Sequence, residues 1–151
     1  MGIPNIGSIL STLLILTPLW ATACATKSLE QSVPQPYRGM SPPTDRFLSD
    51  PANLQAGRVL YQRHCATCHG EAGRGDGPAG HTLRLKPANL ADPGGVIQKP
   101  LDYWFWRVSE GGAAEPFHSQ GSVMPPWKYH LSETERWQVI AYVRSLTRPD
   151  R

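Results

Sequence analysis

The pentapeptide Cys65-Ala66-Thr67-Cys68-His69 leaves this chain few folds to choose from. Residues three apart on a helical turn share a face, so the thiols at 65 and 68 can reach one planar group together. His69 is then delivered beside them. The C-x-x-C-H pattern reads as a c-type haem attachment, with Cys65 and Cys68 each bonded to a vinyl group and His69 taking the iron as proximal ligand. A thioredoxin-like reading of C-x-x-C needs a strand and a βαβ context, and neither is visible in the sequence. A zinc reading needs further ligands at close spacing, whereas His64, His81, His118 and His130 are scattered.

The residues on either side suit that chemistry. Asp50-Pro51 is a helix start, with Asp as N-cap and Pro at the first helical position, and the helix runs from Pro51 to His64. Leu54, Gly57, Leu60 and Tyr61 recur on it at helical spacing. After the motif comes a Gly-rich stretch, Gly70 to Pro78. Gly75-x-Gly77-x-x-Gly80 spells a dinucleotide fingerprint, but no strand precedes it and Pro78 interrupts it, so nucleotide binding is rejected. Leu101 to Glu110 is an aromatic helical segment stopped by Gly111-Gly112. Its Tyr103, Trp104, Phe105 and Trp106 are consecutive and cannot all face the core, so some are expected to cover the haem or lie at the surface. Packing is their expected role, with Trp104 or Trp106 also able to donate an indole N–H to a propionate. Ser132-Glu133-Thr134-Glu135 is a capping box that opens a last helix, with Trp137, Val139, Ile140, Val143 and Leu146 as its apolar face.

The second axial position on iron is assigned to Met124. Met1 falls in the leader and Met40 in a linker, so Met124 is the one methionine of the domain, in a loop that Pro125-Pro126 keeps from being helical. A thioether there raises the haem potential relative to a second imidazole. The rival ligands are His118, His81 and His130, and an open position is the remaining alternative.

Taken in order, these features resemble a class I cytochrome c domain from about Asp50 to Thr147. Gly57 and Tyr61 are similar to the glycine and aromatic pair at which that family's first and last helices cross. Gly70 to Pro78 resembles its Gly-rich loop. Pro87-Ala88-Asn89-Leu90 resembles its element beside the proximal histidine, and Met124-Pro125-Pro126-Trp127 its distal methionine loop. The resemblance implies an all-α fold of three or four short helices with long Gly- and Pro-rich loops around one covalently bound haem c. It also implies that Tyr142 and Val139 meet Gly57 and Tyr61.

The N-terminal third reads differently. Residues 1–23 carry no charged side chain, and the apolar run Ile9 to Leu16 is too short to span a bilayer, so a signal peptide is expected. Ala21-Thr22-Ala23 before Cys24 permits ordinary cleavage, or lipidation of Cys24 as in a bacterial lipoprotein. Lipidation is the expectation, although Ala21 stands where Leu is commonest in a lipobox. Residues 24–49, rich in Pro, Ser and Thr, read as an extended tether, and 50–148 as the haem domain. The formal charge of +3, with no block of Lys or Arg, gives no reason to expect a nucleic-acid partner. The expected function is single-electron transfer, not enzymatic turnover, in the periplasm on the outer face of a bacterial membrane. Its expected partners are a membrane oxidoreductase or terminal oxidase, met as a monomer or as a complex subunit. The alternatives are a permanent haem c subunit of a membrane oxidoreductase, and a five-coordinate haem sensor or peroxidase-like enzyme.

Overall fold

A computed structural model describes Met1, Gly2 and residues 33–147. The leader's apolar run and Cys24 lie outside the described residues. Apart from Met1 and Gly2, the described residues fall in the second of two units of the chain, 31–151. Four α-helices form it: α1 Pro51–His64, α2 Ala66–His69, α3 Leu101–Glu110 and α4 Glu133–Ser145. Short 3-10 turns link them, and no strand occurs among the described residues. The fold is all-α, of the class I cytochrome c type. No helix among the described residues is long and apolar enough to cross a membrane.

The two long crossing helices, α1 and α4, start where the sequence supplies a side-chain cap. The Asp50 side chain accepts hydrogen bonds from the backbone N–H of Ala52 at 2.9 Å and Asn53 at 3.1 Å, and Pro51 follows with no N–H to satisfy. On α4 the Ser132 hydroxyl accepts from Glu135 N–H at 3.2 Å while Glu135 Oε2 accepts from Ser132 N–H at 2.8 Å, a reciprocal box. Gly111 ends α3 with φ +56°, a left-handed conformation that a side chain would strain.

α1 and α4 cross so closely at Gly57 that a Cβ there would overlap the Gln138 carbonyl and sit 3.0 Å from Tyr142 Cβ. One turn on, the Tyr61 and Tyr142 rings lie 5.2 Å apart. Gln138 thus takes the place expected of Val139, which lines a cavity instead. The core also holds Trp137, Ile140 and Val143 from α4 and Phe105 from α3, whose ring stacks on Trp137 at 4.4 Å.

Of the expectations for α3 and for the N-terminal stretch, the first is met in one of its forms, cover of the cavity rather than surface exposure, and the second is corrected. Tyr103, Trp104, Phe105 and Trp106 are all buried, none more than 7% exposed. α3 is covered on every side: α4 packs on Phe105, Phe117 lies 5.8 Å from Trp106, and Tyr103 and Trp104 face the cavity. Residues 33–49 are not an extended linker. They make 3-10 turns at Gln35–Tyr37 and Phe47–Ser49; Phe47 is buried, and Tyr37 and Met40 pack against the core. Tyr37 lies 6.3 Å from Phe105, and Gly39 N–H donates to Asp102 at 3.0 Å, so this stretch is a strap across α3. Tyr37 and Phe47 supply the apolar surface that an extended coil would leave in water.

Candidate functional site

α1 delivers the attachment motif to the floor of a cavity of about 310 Å³. Cys65 is the C-cap of α1, and the single turn of α2 carries Cys68 and His69. Both thiols and the imidazole border the same space. The turn is held from outside by the Gly-rich loop. Ala79 N–H donates to Thr67 C=O at 3.0 Å and Gly75 N–H to His69 C=O at 2.8 Å. A Cβ on Gly77 would come within 2.6 Å of the Ala66 carbonyl, so only glycine lets the loop lie this close to the motif. The buried Tyr61 hydroxyl donates to Gly70 C=O at 2.7 Å, tying α1 to the start of that loop.

His69 is set for ligation by its outer nitrogen. Nδ1 lies 3.2 Å from the Ala88 carbonyl, within the Pro87 to Leu90 element expected beside it. A proton on Nδ1 satisfies that carbonyl and leaves the Nε2 lone pair for a metal. Burial holds the imidazole below its usual pKa; the Ala88 contact opposes this and the Arg107 charge reinforces it, so the ring is kept neutral. Burial also pushes the Cys65 thiol up to about 12, with Cys68 adding to it. A site that so disfavours thiolate suits an uncharged thioether.

The opposite wall comes from α3 and the loop after it. Met124 borders the cavity, whereas His81, His118 and His130 do not. All three of those histidines are exposed, and His118 sits 3.5 Å from Glu115. Gly112 N–H donates to Met124 C=O at 2.7 Å, hanging the methionine loop from the end of α3. Arg107 Nη2 is 3.9 Å from Met124 Sδ, and its guanidinium carbon lies 3.3 Å from the Phe117 ring centroid. Burial lowers the Arg107 pKa while Tyr103 raises it; a guanidinium nonetheless remains cationic.

These residues fit a haem. Two sulfurs, one available imidazole nitrogen and a thioether converge on one largely apolar cavity walled by Leu90, Val108, Val139 and Val143. Trp104 lines it too, and its Nε1 is buried with no hydrogen-bond partner among the described residues. Such an orphaned donor suits a carboxylate on the bound group, as does the Arg107 cation. Trp106, the other indole considered, does not border the cavity. Sequence reasoning missed Arg107 and His64, which also lines the space. Arg107 stands one turn after Trp104, the only available signal.

The comparisons with known proteins bear on the fold and the family. A chain of the Kuenenia stuttgartiensis reducing HAO-like protein complex superimposes with a TM-score of 0.50 at 27% identity, over 73% of this chain and 48% of that one. The present chain therefore spans about half the length of that relative. Residues 52–143 match the family model described as cytochrome c oxidase, cbb3-type, subunit III. That match covers more than half of the chain and contains all but the first residue of α1, the attachment motif, Met124 and most of α4. The protein belongs to this family of c-type cytochrome domains.

Proposed function

We propose that the protein is a mono-haem electron carrier, its haem bonded through Cys65 and Cys68 and its iron held between His69 and Met124. Membership of the family carries haem c and electron transfer; the one cavity that Cys65, Cys68, His69 and Met124 all line supports the ligand set. Bound haem supplies a one-electron couple between ferric and ferrous iron. The chain supplies the rest. Ala88 orients the imidazole, Gly112 holds the methionine loop, and the apolar wall excludes water. With both axial positions filled by the protein, no substrate needs to reach the iron, so single-electron transfer is favoured over peroxide chemistry or gas sensing.

The carrier is proposed to work in the periplasm, held to the membrane through lipidated Cys24 after cleavage at residue 23. Its proposed partners are a membrane oxidoreductase and a terminal oxidase. A second reading, a permanent haem subunit of an oxidoreductase complex, is favoured by the family's description as an oxidase subunit and by a structural relative that is itself part of a complex. The ligand set is tested with Met124→Ala in the haem-loaded protein. The expected result is loss of the weak sulfur-to-iron charge-transfer band, fast carbon monoxide binding by the ferrous form, and a lower reduction potential. A variant that keeps the band and the potential would sink the assignment. Purification in mild detergent separates the two roles: a carrier runs alone, a subunit brings its complex with it.

A further inference from the structure

We propose that Tyr37, Glu110 and Lys128 form a positioning clamp for the methionine loop, so that the strap before the haem domain helps keep sulfur on iron. The inference rests on Met124 being the axial ligand.

The loop from Gly121 to Pro126 has no regular structure, and its first two N–H groups, of Gly121 and Ser122, donate to the His118 and Phe117 carbonyls at 2.9 Å. Met124 N–H meets the Ser122 hydroxyl only at 3.4 Å, a weak contact. From Met124 onward, its attachments run to the end of α3. One is the Gly112 N–H bond to the Met124 carbonyl at 2.7 Å. The other is on the far side of the loop, where Lys128 Nζ donates to both Glu110 oxygens at 2.9 and 2.8 Å. Glu110 is the last residue of α3, and Gly112 lies just beyond it. The methionine is thus slung between two anchors on one helix terminus, one backbone and one ionic.

The ionic anchor is not an isolated surface pair. Lys128 and Glu110 side chains are 31% and 21% exposed, and the Tyr37 hydroxyl donates to the same carboxylate. The charge of Arg136 also faces it. Tyr37 comes from the strap, where its ring packs against Phe105 and where Gly39 N–H is tied to Asp102. A carboxylate held by two donors from different segments has little rotamer freedom left, which is what lets a flexible lysine fix a loop. Strap, helix terminus and methionine loop therefore meet at one carboxylate.

A thioether is a weak, neutral ligand that leaves iron whenever its loop opens. Carbon monoxide binding to the ferrous protein reads that opening directly, because the gas can only enter after the sulfur has left. In the full-length haem-loaded protein, Lys128→Met and Tyr37→Phe should each speed carbon monoxide binding, Lys128→Met by about fivefold or more. Lys128→Arg, which keeps the pair, should behave as wild type. The thermal melting temperature and ferrous absorption spectrum are recorded for each variant, so a protein that has not folded is recognised. If Lys128→Met and Tyr37→Phe lower the melting temperature but leave the rate within twofold of wild type, the network is merely structural and the clamp is overturned. If Lys128→Arg is as fast as Lys128→Met, the ion pair is not the anchor and the clamp is overturned as well. A wild type that lacks the sulfur-to-iron band and binds carbon monoxide rapidly would instead sink Met124 ligation, and the clamp with it.

Discussion

Gly57 shows how much one residue can decide when two helices cross without a gap. The absent side chain is what allows α1 to lie on the Gln138 carbonyl, and a backbone carbonyl inside a helix cannot step aside. Gly57→Ala should therefore cost about 1–3 kcal/mol. At roughly 4–8 °C per kcal/mol for a domain of this size, that loss is easily seen in a melting curve. Gly57→Leu should not fold. The folded fraction of Gly57→Ala should keep its reduction potential, since neither Gly57 nor Gln138 nor Tyr142 borders the cavity. An unchanged melting temperature would refute the close crossing. Gly57 was legible in the sequence because it stands at fixed spacing from an unmistakable motif, and Met124 as a cavity residue because no other methionine follows that motif. Arg107 and His64 were not. The one-turn spacing of Arg107 from Trp104 is the sole local sign, and the helix faces that Arg107 and His64 occupy are set by tertiary packing.

At the scale of elements, helix ends were read well and helix surroundings poorly. Asp50-Pro51, Gly111 and the Ser132 box mark their boundaries with local hydrogen bonds, and local chemistry is what a sequence displays. The aromatic run of α3 seemed too long for one buried face because the strap and the Phe117 loop that cover its other sides come from distant parts of the chain. The same blindness hid the network at the C-terminal end of α3. Its carboxylate has a thermodynamic consequence. Burial works to raise the Glu110 pKa, but hydrogen bonds from Lys128 and Tyr37 and the charges of Lys128 and Arg136 outweigh it and hold the group below its usual value. A carboxyl depressed on folding stabilises the native state above its unfolded value, about 4.3 for glutamate, and that stabilisation fades as pH falls through the folded value. The melting temperature of wild type should thus exceed that of Glu110→Gln at pH 6 by a constant margin that narrows below about pH 4. A margin independent of pH between these limits would show that Glu110 is not held ionised by its partners.

At the scale of the whole molecule, the strap changes what the N-terminal segment can do. Read as coil from Cys24 to Ser49, it would let the haem domain roam far from an anchor. With residues 33–49 on the domain, only nine residue steps separate Cys24 from Val33. Even fully extended, nine steps reach no more than about 30 Å. If Cys24 carries acyl chains, as proposed, the first docked residue stays within that distance of the membrane surface. Redox partners must then present their electron-exchanging sites close to the bilayer. The anchor itself is tested by Cys24→Ser. The haem-loaded variant should move from the membrane to the soluble periplasmic fraction with its spectrum and carbon monoxide kinetics unchanged, because the residues around the cavity lie beyond Val33. Its electron transfer to a membrane-bound partner should slow through loss of local concentration, not loss of affinity, so adding more soluble protein should restore the rate. If the variant stays with the membrane, Cys24 is not the anchor. If it is released but transfers electrons as fast as before at the same total concentration, the short tether has no kinetic role.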